Sequence, residues 1–141
     1  MKKIAYISGG IGGAKLAKGF YALENIDLAI VINTGDVQNI HGVKLSPDID
    51  SVMSPLAVIE EEFGWGHKDH TLNVSTLYKQ YQEQEFSIGD KDLALKLYRN
   101  QLINEGKTLT EVTRSFTEFY NLNCTLLPMS NDKIKTTLTT I

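Results

Sequence analysis

The stretch KIAYISGGIGGAKLAKGFYALENIDLAIVIN, residues 3–33, decides the fold. Lys3 to Ser8 is a short apolar run cut off by glycines, the pattern of a buried parallel strand. Gly9, Gly10, Gly12 and Gly13 follow around Ile11. From Ala14 to Leu23 the residues Leu16, Phe20 and Leu23 recur at helical spacing, which predicts an amphipathic helix. Asp27 to Asn33 is a second continuous apolar strand. Strand, glycine loop, helix and strand within about thirty residues make a βαβ unit, with parallel strands and a right-handed crossover.

Outward from that unit, residues 34–45 read as a polar loop. Ser46 and Pro47 then open a helix with a capping residue and a proline at its first position. Ile49, Val52, Met53 and Leu56 form its apolar face, and Pro55 is expected to kink or end it. Glu60 to Glu62 read as a solvated face and residues 63–71 as a loop. Val74, Leu77, Tyr78 and Tyr81 form another helical stripe. Residues 86–88 read as a short strand. Asp90 or Asp92 can cap a helix bearing Leu93, Leu97 and Ile103, with Gly106 as its stop. Thr108 and Glu111 form a capping box, followed by Val112, Phe116, Phe119 and Tyr120 facing inward. Residues 124–129 are strand-like, and residues 135–141 look like another strand beginning. Alternating strands and helices give an α/β fold, a Rossmann-like, mainly parallel sheet with flanking helices.

Composition narrows the function classes. The 141 residues carry 17 acids, 14 bases and a net charge of −3, which suits one domain over residues 1–141. Charge so near balance leaves no electrostatic footprint for nucleic acid or an anionic membrane. No apolar run approaches the ~20 residues that span a bilayer. Cys124 is the one cysteine, so no internal disulfide forms and a cytoplasmic setting is expected. In its apolar strand it reads as packing.

The chemistry-bearing residues cluster early. In the loop Gly9-Gly10-Ile11-Gly12-Gly13, glycines let a backbone approach an anion, and free N–H groups at a helix start favour phosphate. Lys15 adds a charge one turn in. The alternative is a plain strand-to-helix turn, and neither the P-loop nor the dinucleotide spacing is met. Asn33, Thr34, Gly35 and Asp36 lie at the carboxyl end of a strand, where open α/β sheets place ligands. Asp48 and Asp50 fall in the first turn of the next helix, where they either complement its dipole or hold Mg²⁺ against a diphosphate. His67 and His70 are three apart without a nearby third ligand, and His41 is isolated, so zinc is disfavoured. Trp65, between Gly64 and Gly66, either stacks on a planar ligand or covers the core edge.

Taken in order, SGGIGGAKL at 8–16, NTGD at 33–36, SPDIDSVM at 46–53, GWG at 64–66, FSIGDKDLA at 86–94, LTEVT at 109–113 and LLPMSND at 126–132 resemble the 2-phospho-L-lactate transferase family of coenzyme F420 biosynthesis. The resemblance implies transfer of a phospholactyl or phosphoenolpyruvyl group from a guanosine-diphosphate-linked donor to the deazaflavin Fo, with release of GMP and a need for Mg²⁺. It implies that Gly9, Gly10, Gly12 and Gly13, with Lys15 and Asn33, receive donor phosphate. Asp36 and Asp48 would be the catalytic metal carboxylates, and Asp50 and Lys91 would contact the deazaflavin. Val37 stands where the family commonly has a second acid. Family members are about twice this length, so the chain is expected to be the amino-terminal half of a longer domain, a homodimer when full length. Two rival readings are a nucleotide-sugar-binding regulator of gluconeogenesis, which has no reason to bind Fo, and an inactive half-length chain.

Overall fold

A computed structural model describes residues 1–59, 67–81 and 87–140. The opening βαβ unit forms as its sequence dictates. Strand β1 (Lys2–Ser8) leads into helix α1 (Ile11–Tyr21), and strand β2 (Ile26–Ile32) returns parallel to β1, with Ile4 opposite Leu28 and Ser8 opposite Ile32. The helix starts three residues earlier than its apolar spacing implies, so Gly12 and Gly13 lie inside its first turn. Its buried residues are Ala14 and Ala17, whereas Leu16 and Leu23 are exposed. Small side chains let α1 lie close against the sheet and against the next helix.

Residues 34–45 are not wholly loop. Strands β3 (Gln38–Ile40) and β4 (Val43–Leu45) form an antiparallel hairpin with Ile40 opposite Val43. His41 and Gly42 both have positive φ, the two-residue turn whose twist matches paired strands. The His-Gly pair was the available signal. Helix α2 (Pro47–Leu56) buries Ile49, Val52, Met53 and Leu56 as its pattern predicts, and Pro55 falls in its last turn, where it ends the helix.

Helix α3 (Asn73–Tyr81) exposes Val74, Leu77 and Tyr81 and buries Ser75 instead. The Ser75 hydroxyl donates to the Ile88 carbonyl at 2.6 Å and accepts from the Ile88 N–H at 3.0 Å, so Ser87 and Ile88 lie along α3 and not in the sheet. Phe86, Glu60 to Glu62 and Gly64-Trp65-Gly66 lie outside the described residues. Helix α4 (Asp90–Asn104) ends ahead of Gly106, whose φ of +93 suits glycine. Helix α5 (Leu109–Phe119) carries the expected Thr108–Glu111 capping box and buries Val112 and Phe116, but Phe119 is exposed. Strand β5 (Thr125–Pro128) pairs parallel with β2 on the side away from β1, giving the order β1-β2-β5. Residues 135–140 form no strand.

The core lies on one face of the sheet. Leu28, Ile30, Ile32 and Leu126 pack there against Ala14, Ala17, Ile49, Val52, Met53, Leu102, Val112 and Phe116, drawn from α1, α2, α4 and α5. On the opposite face Ala5, Ile7, Ala29, Val31 and Leu127 are not fully buried, and Ile7 is 85% exposed. Ile7→Lys is therefore expected to change the stability of this 141-residue chain by under about 0.5 kcal/mol in urea titration. A loss of several kcal/mol would mean that something covers this face.

Candidate functional site

The parallel sheet brings the carboxyl ends of β1 and β2 side by side, and the residues following them build the site. Gly10 precedes α1 with no side-chain cap, and the Ala14 N–H already bonds the Gly10 carbonyl at 3.0 Å. The N–H groups of the first turn, at Ile11, Gly12 and Gly13, have no acceptor within their own helix, and no acid sits in that turn to compensate them. The Tyr6 hydroxyl donates to the Gly13 carbonyl at 2.9 Å and fixes α1 to β1. Gly12 borders open space, as does Gly9. Lys15 is exposed on the second turn.

The acids approach from the other side. The Asn33 N–H donates to the Ser8 carbonyl at 2.9 Å, which ties the end of β2 to the start of the glycine loop. The Asn33 side-chain amide donates to Asp48 Oδ2 at 2.7 Å and, more weakly, to Asp36 Oδ2 at 3.4 Å. Its carbonyl accepts the Gly35 N–H at 3.0 Å. Asp48 Oδ1 lies against Gly10, 2.8 Å from where a β-carbon would stand. One amide thus gathers two carboxylates next to a helix start that favours anions.

Asp48 and Asp50 part company. Two positions along an α-helix turn a side chain by about 200°, so the pair points to nearly opposite sides. Asp48 faces the glycine loop. Asp50 faces α4, where Arg99 grips both of its oxygens and Lys96 Nζ stands 3.6 Å away. Reading these two acids as a joint Mg²⁺ site from their spacing therefore fails, while Asp36 with Asp48 is brought together.

The GDKD stretch at 89–92 organises the neighbouring loop. Gly89 abuts the His70 side chain, 2.9 Å from where a β-carbon would stand. Asp90 does not cap its own helix. Its carboxylate accepts from the Thr71 hydroxyl and from the N–H groups of Asn73 and Val74 at the start of α3. The Thr71 hydroxyl bond is the main reason its carboxyl sits below the usual carboxylate range. Lys91 Nζ donates to the Lys68 carbonyl at 3.1 Å, and Asp92 accepts the His67 N–H at 2.9 Å. Lys91 is otherwise exposed, on a different element from the glycine loop.

Two residues escaped the sequence reading. Arg99 is 1% exposed, and its signal is a charge in register with Leu95 and Leu102 on one helical face. Thr136 donates its N–H to the Gly35 carbonyl at 3.0 Å, and its hydroxyl lies 2.6 Å from where a β-carbon on Gly35 would be. Nothing in the local sequence points to that contact.

The donor set suits a small hard cation. Mg²⁺ takes one or two carboxylates and completes its shell with water and phosphate oxygens. Among the described residues no three of His, Cys, Asp and Glu gather as a fuller protein cage would need. Thr34 Oγ1 and Ser46 Oγ, on the two segments that carry Asp36 and Asp48, are buried without a hydrogen-bond partner. Such orphaned hydroxyls fit a site completed by water or an ion. Away from it, an open cleft of about 570 Å³ beside α5 and β5 is lined by Thr110, Arg114, Glu118, Asn123 and Cys124, among others, and by neither the glycine loop nor Asp36 or Asp48. Burial pushes the Cys124 thiol up to about 11, as befits packing and not a nucleophile. No helix among the described residues is long and apolar enough to cross a membrane.

Comparison with known proteins supplies the family context. A family model described as 2-phospho-L-lactate transferase CofD matches residues 4–140. The phosphoenolpyruvate transferase of Kitasatospora aureofaciens is 37% identical over 139 residues, covering 95% of this chain and 43% of the relative. That of Mycobacterium marinum is 33% identical over 149 residues, covering 95% and 45%. The chain thus spans less than half the length of these relatives. A solved structure of a UPF0052-family protein from Bacillus halodurans superposes with a TM-score of 0.59 at 16% identity, over 93% of this chain and 40% of that one, a likeness of fold.

Proposed function

Since this chain belongs to the 2-phospho-L-lactate transferase family, we propose that it acts in coenzyme F420 biosynthesis, moving a phosphoenolpyruvyl or phospholactyl group from a guanosine-diphosphate-linked donor to the deazaflavin Fo. The relatives' name, phosphoenolpyruvate transferase, favours the enolpyruvyl donor. The observation that carries the reading is the convergence of Asp36 and Asp48 on Asn33, with Asp48 against Gly10. An anion-favouring helix start facing two carboxylates is an arrangement for a diphosphate with its cation.

In this reading the first-turn N–H groups at Gly12 and Gly13, with Gly9, Gly10 and Lys15, take the donor's phosphates. Asn33 orients the two carboxylates. Asp36 and Asp48 would hold Mg²⁺, which when bound supplies charge neutralisation on the diphosphate. The hydroxyl of Fo forms a bond to the phosphorus bearing the three-carbon acid. The bond from that phosphorus to the bridging oxygen breaks, GMP leaves with the electron pair, and the hydroxyl proton passes to a carboxylate of the pair. Asp50 and Lys91 contact the acceptor. In this reading the reaction is a cytoplasmic one carried out by a homodimer, with neither nucleic acid nor membrane as a partner.

The test is Mg²⁺-dependent release of GMP from the guanosine-linked donor in the presence of Fo. Gly12→Val serves as the site-specific variant. The position borders open space, so the added side chain is expected to leave the fold intact and to weaken donor binding by about tenfold or more by crowding the phosphate site. Donor affinity equal to the parent's would remove the glycine loop from the reading. Failure to bind Fo at all would favour the nucleotide-sugar regulator.

A further inference from the structure

We propose that Arg99 is a positioning residue for acceptor binding, fixing the carboxylate of Asp50 so that it presents an aligned hydrogen-bond acceptor to the deazaflavin. The inference rests on the reading that Asp50 contacts the acceptor.

Arg99 lies in α4 on the face that carries Leu95 and Leu102, and it is almost fully buried. An apolar residue would complete that face at less cost, because burying a guanidinium is unfavourable unless its charge and donors are fully matched. The match is specific. Nη1 donates to Asp50 Oδ2 at 3.2 Å and Nη2 donates to Oδ1, a two-point grip that sets the plane of the carboxylate. The guanidinium carbon also lies 5.9 Å from the centre of the Phe116 ring, so its own position is fixed from the α5 side.

Lys96 adds a second anchor, 3.6 Å from Asp50 Oδ2 and 4.0 Å from Asp92 Oδ1. Asp92 in turn accepts the His67 N–H. Two cations and two anions therefore balance, and the first turn of α2 is tied to α4 and to the loop at residue 67. The Asp50 side chain keeps 18% of its surface exposed, while that of Arg99 keeps 1%. Any ligand thus meets the carboxylate and never the arginine. A lysine at position 99 would supply the charge without the two-point geometry.

The experiment measures Fo affinity and GDP affinity by calorimetric titration, alongside thermal unfolding. The proteins are the parent, Asp50→Asn, Arg99→Lys, Arg99→Met and the Asp50→Asn/Arg99→Met double variant. The double variant leaves no unpaired buried charge, so it is expected to unfold at a temperature close to the parent's even where Arg99→Met alone does not. Fo affinity is expected to fall about tenfold or more in Asp50→Asn and Arg99→Met. The double variant should be no weaker than either, because both act through one carboxylate. Arg99→Lys should be intermediate, and GDP affinity should hold within about twofold in every folded variant.

Parent-like Fo affinity in the double variant, or a parallel fall in GDP and Fo affinity there, overturns the proposal in favour of a purely structural ion pair. Asp50→Asn weakened with Arg99→Lys unchanged also overturns it and leaves the Asp50 contact standing. No Fo binding by the parent, or unchanged binding by Asp50→Asn, removes the underlying reading and the inference with it.

Discussion

Asp48→Asn is expected to reduce Mg²⁺-dependent GMP release by about 100-fold or more while leaving the fold unchanged. Effects of this size are typical when one group that stabilises developing charge is removed. The substitution is isosteric, and the new side chain keeps an oxygen that can accept the Asn33 amide, now bonded to Asp48 Oδ2 at 2.7 Å. The contact with Gly10 depends on size and not on charge, so it too survives. What disappears is one of two carboxylates in a site whose donor set has no third acid among the described residues. The loss should not be recovered by raising Mg²⁺ to tens of millimolar, and circular dichroism should match the parent. Turnover within about threefold of the parent would take Asp48 out of the metal site.

Gly13→Ala is expected to destabilise the chain by about 1–3 kcal/mol, the range for overpacking a tight site. Helix propensity alone argues the other way, since alanine inside a helix is favoured over glycine by about 1 kcal/mol. Space decides the sign. A methyl group at residue 13 would overlap the Ser8 hydroxyl and stand 3.0 Å from Ser8 Cβ and 3.3 Å from its Cα. Ser8 is 2% exposed and its backbone is paired with Asn33 and β2, so it cannot retreat. Gly12 is the control. It is also in the first turn of α1 but borders open space, so Gly12→Ala should be neutral or stabilising by up to about 1 kcal/mol. Urea denaturation of the two variants side by side checks the pair, and equal midpoints would contradict the packing around Ser8.

Much of the architecture was legible because the relevant signals are local. The glycine break, the apolar runs of β1, β2 and β5, and the capping box at Thr108 each depend on a few adjacent residues. Periodicity misled where it treated every large apolar residue as core. Leu16, Leu77 and Phe119 have the right spacing, yet each is exposed and takes no part in the core. The β3–β4 hairpin was missed because its strands are three residues each, too short for alternation to register. The Ser46 hydroxyl was expected to cap α2 and does not; it is buried without a hydrogen-bond partner on the segment leading to Asp48.

The candidate site divides along the same line. By itself the sequence determined the βαβ unit, the placing of Asn33 and Asp36 at a strand end, and the presence of Asp48 and Asp50 at a helix start. These follow from hydrogen-bonding and burial rules that act within a few residues. Only the tertiary structure decided which acids meet. The choice depends on α2 packing against α1, where Ala14 and Ala17 share a core with Ile49, Val52 and Met53, and on the roughly 200° between positions 48 and 50. That packing turns Asp48 to Asn33 and Gly10 and Asp50 to Arg99, forty-nine residues away in the chain. Contacts across such separations arise from how whole faces close on one another, and no local run of residues encodes them.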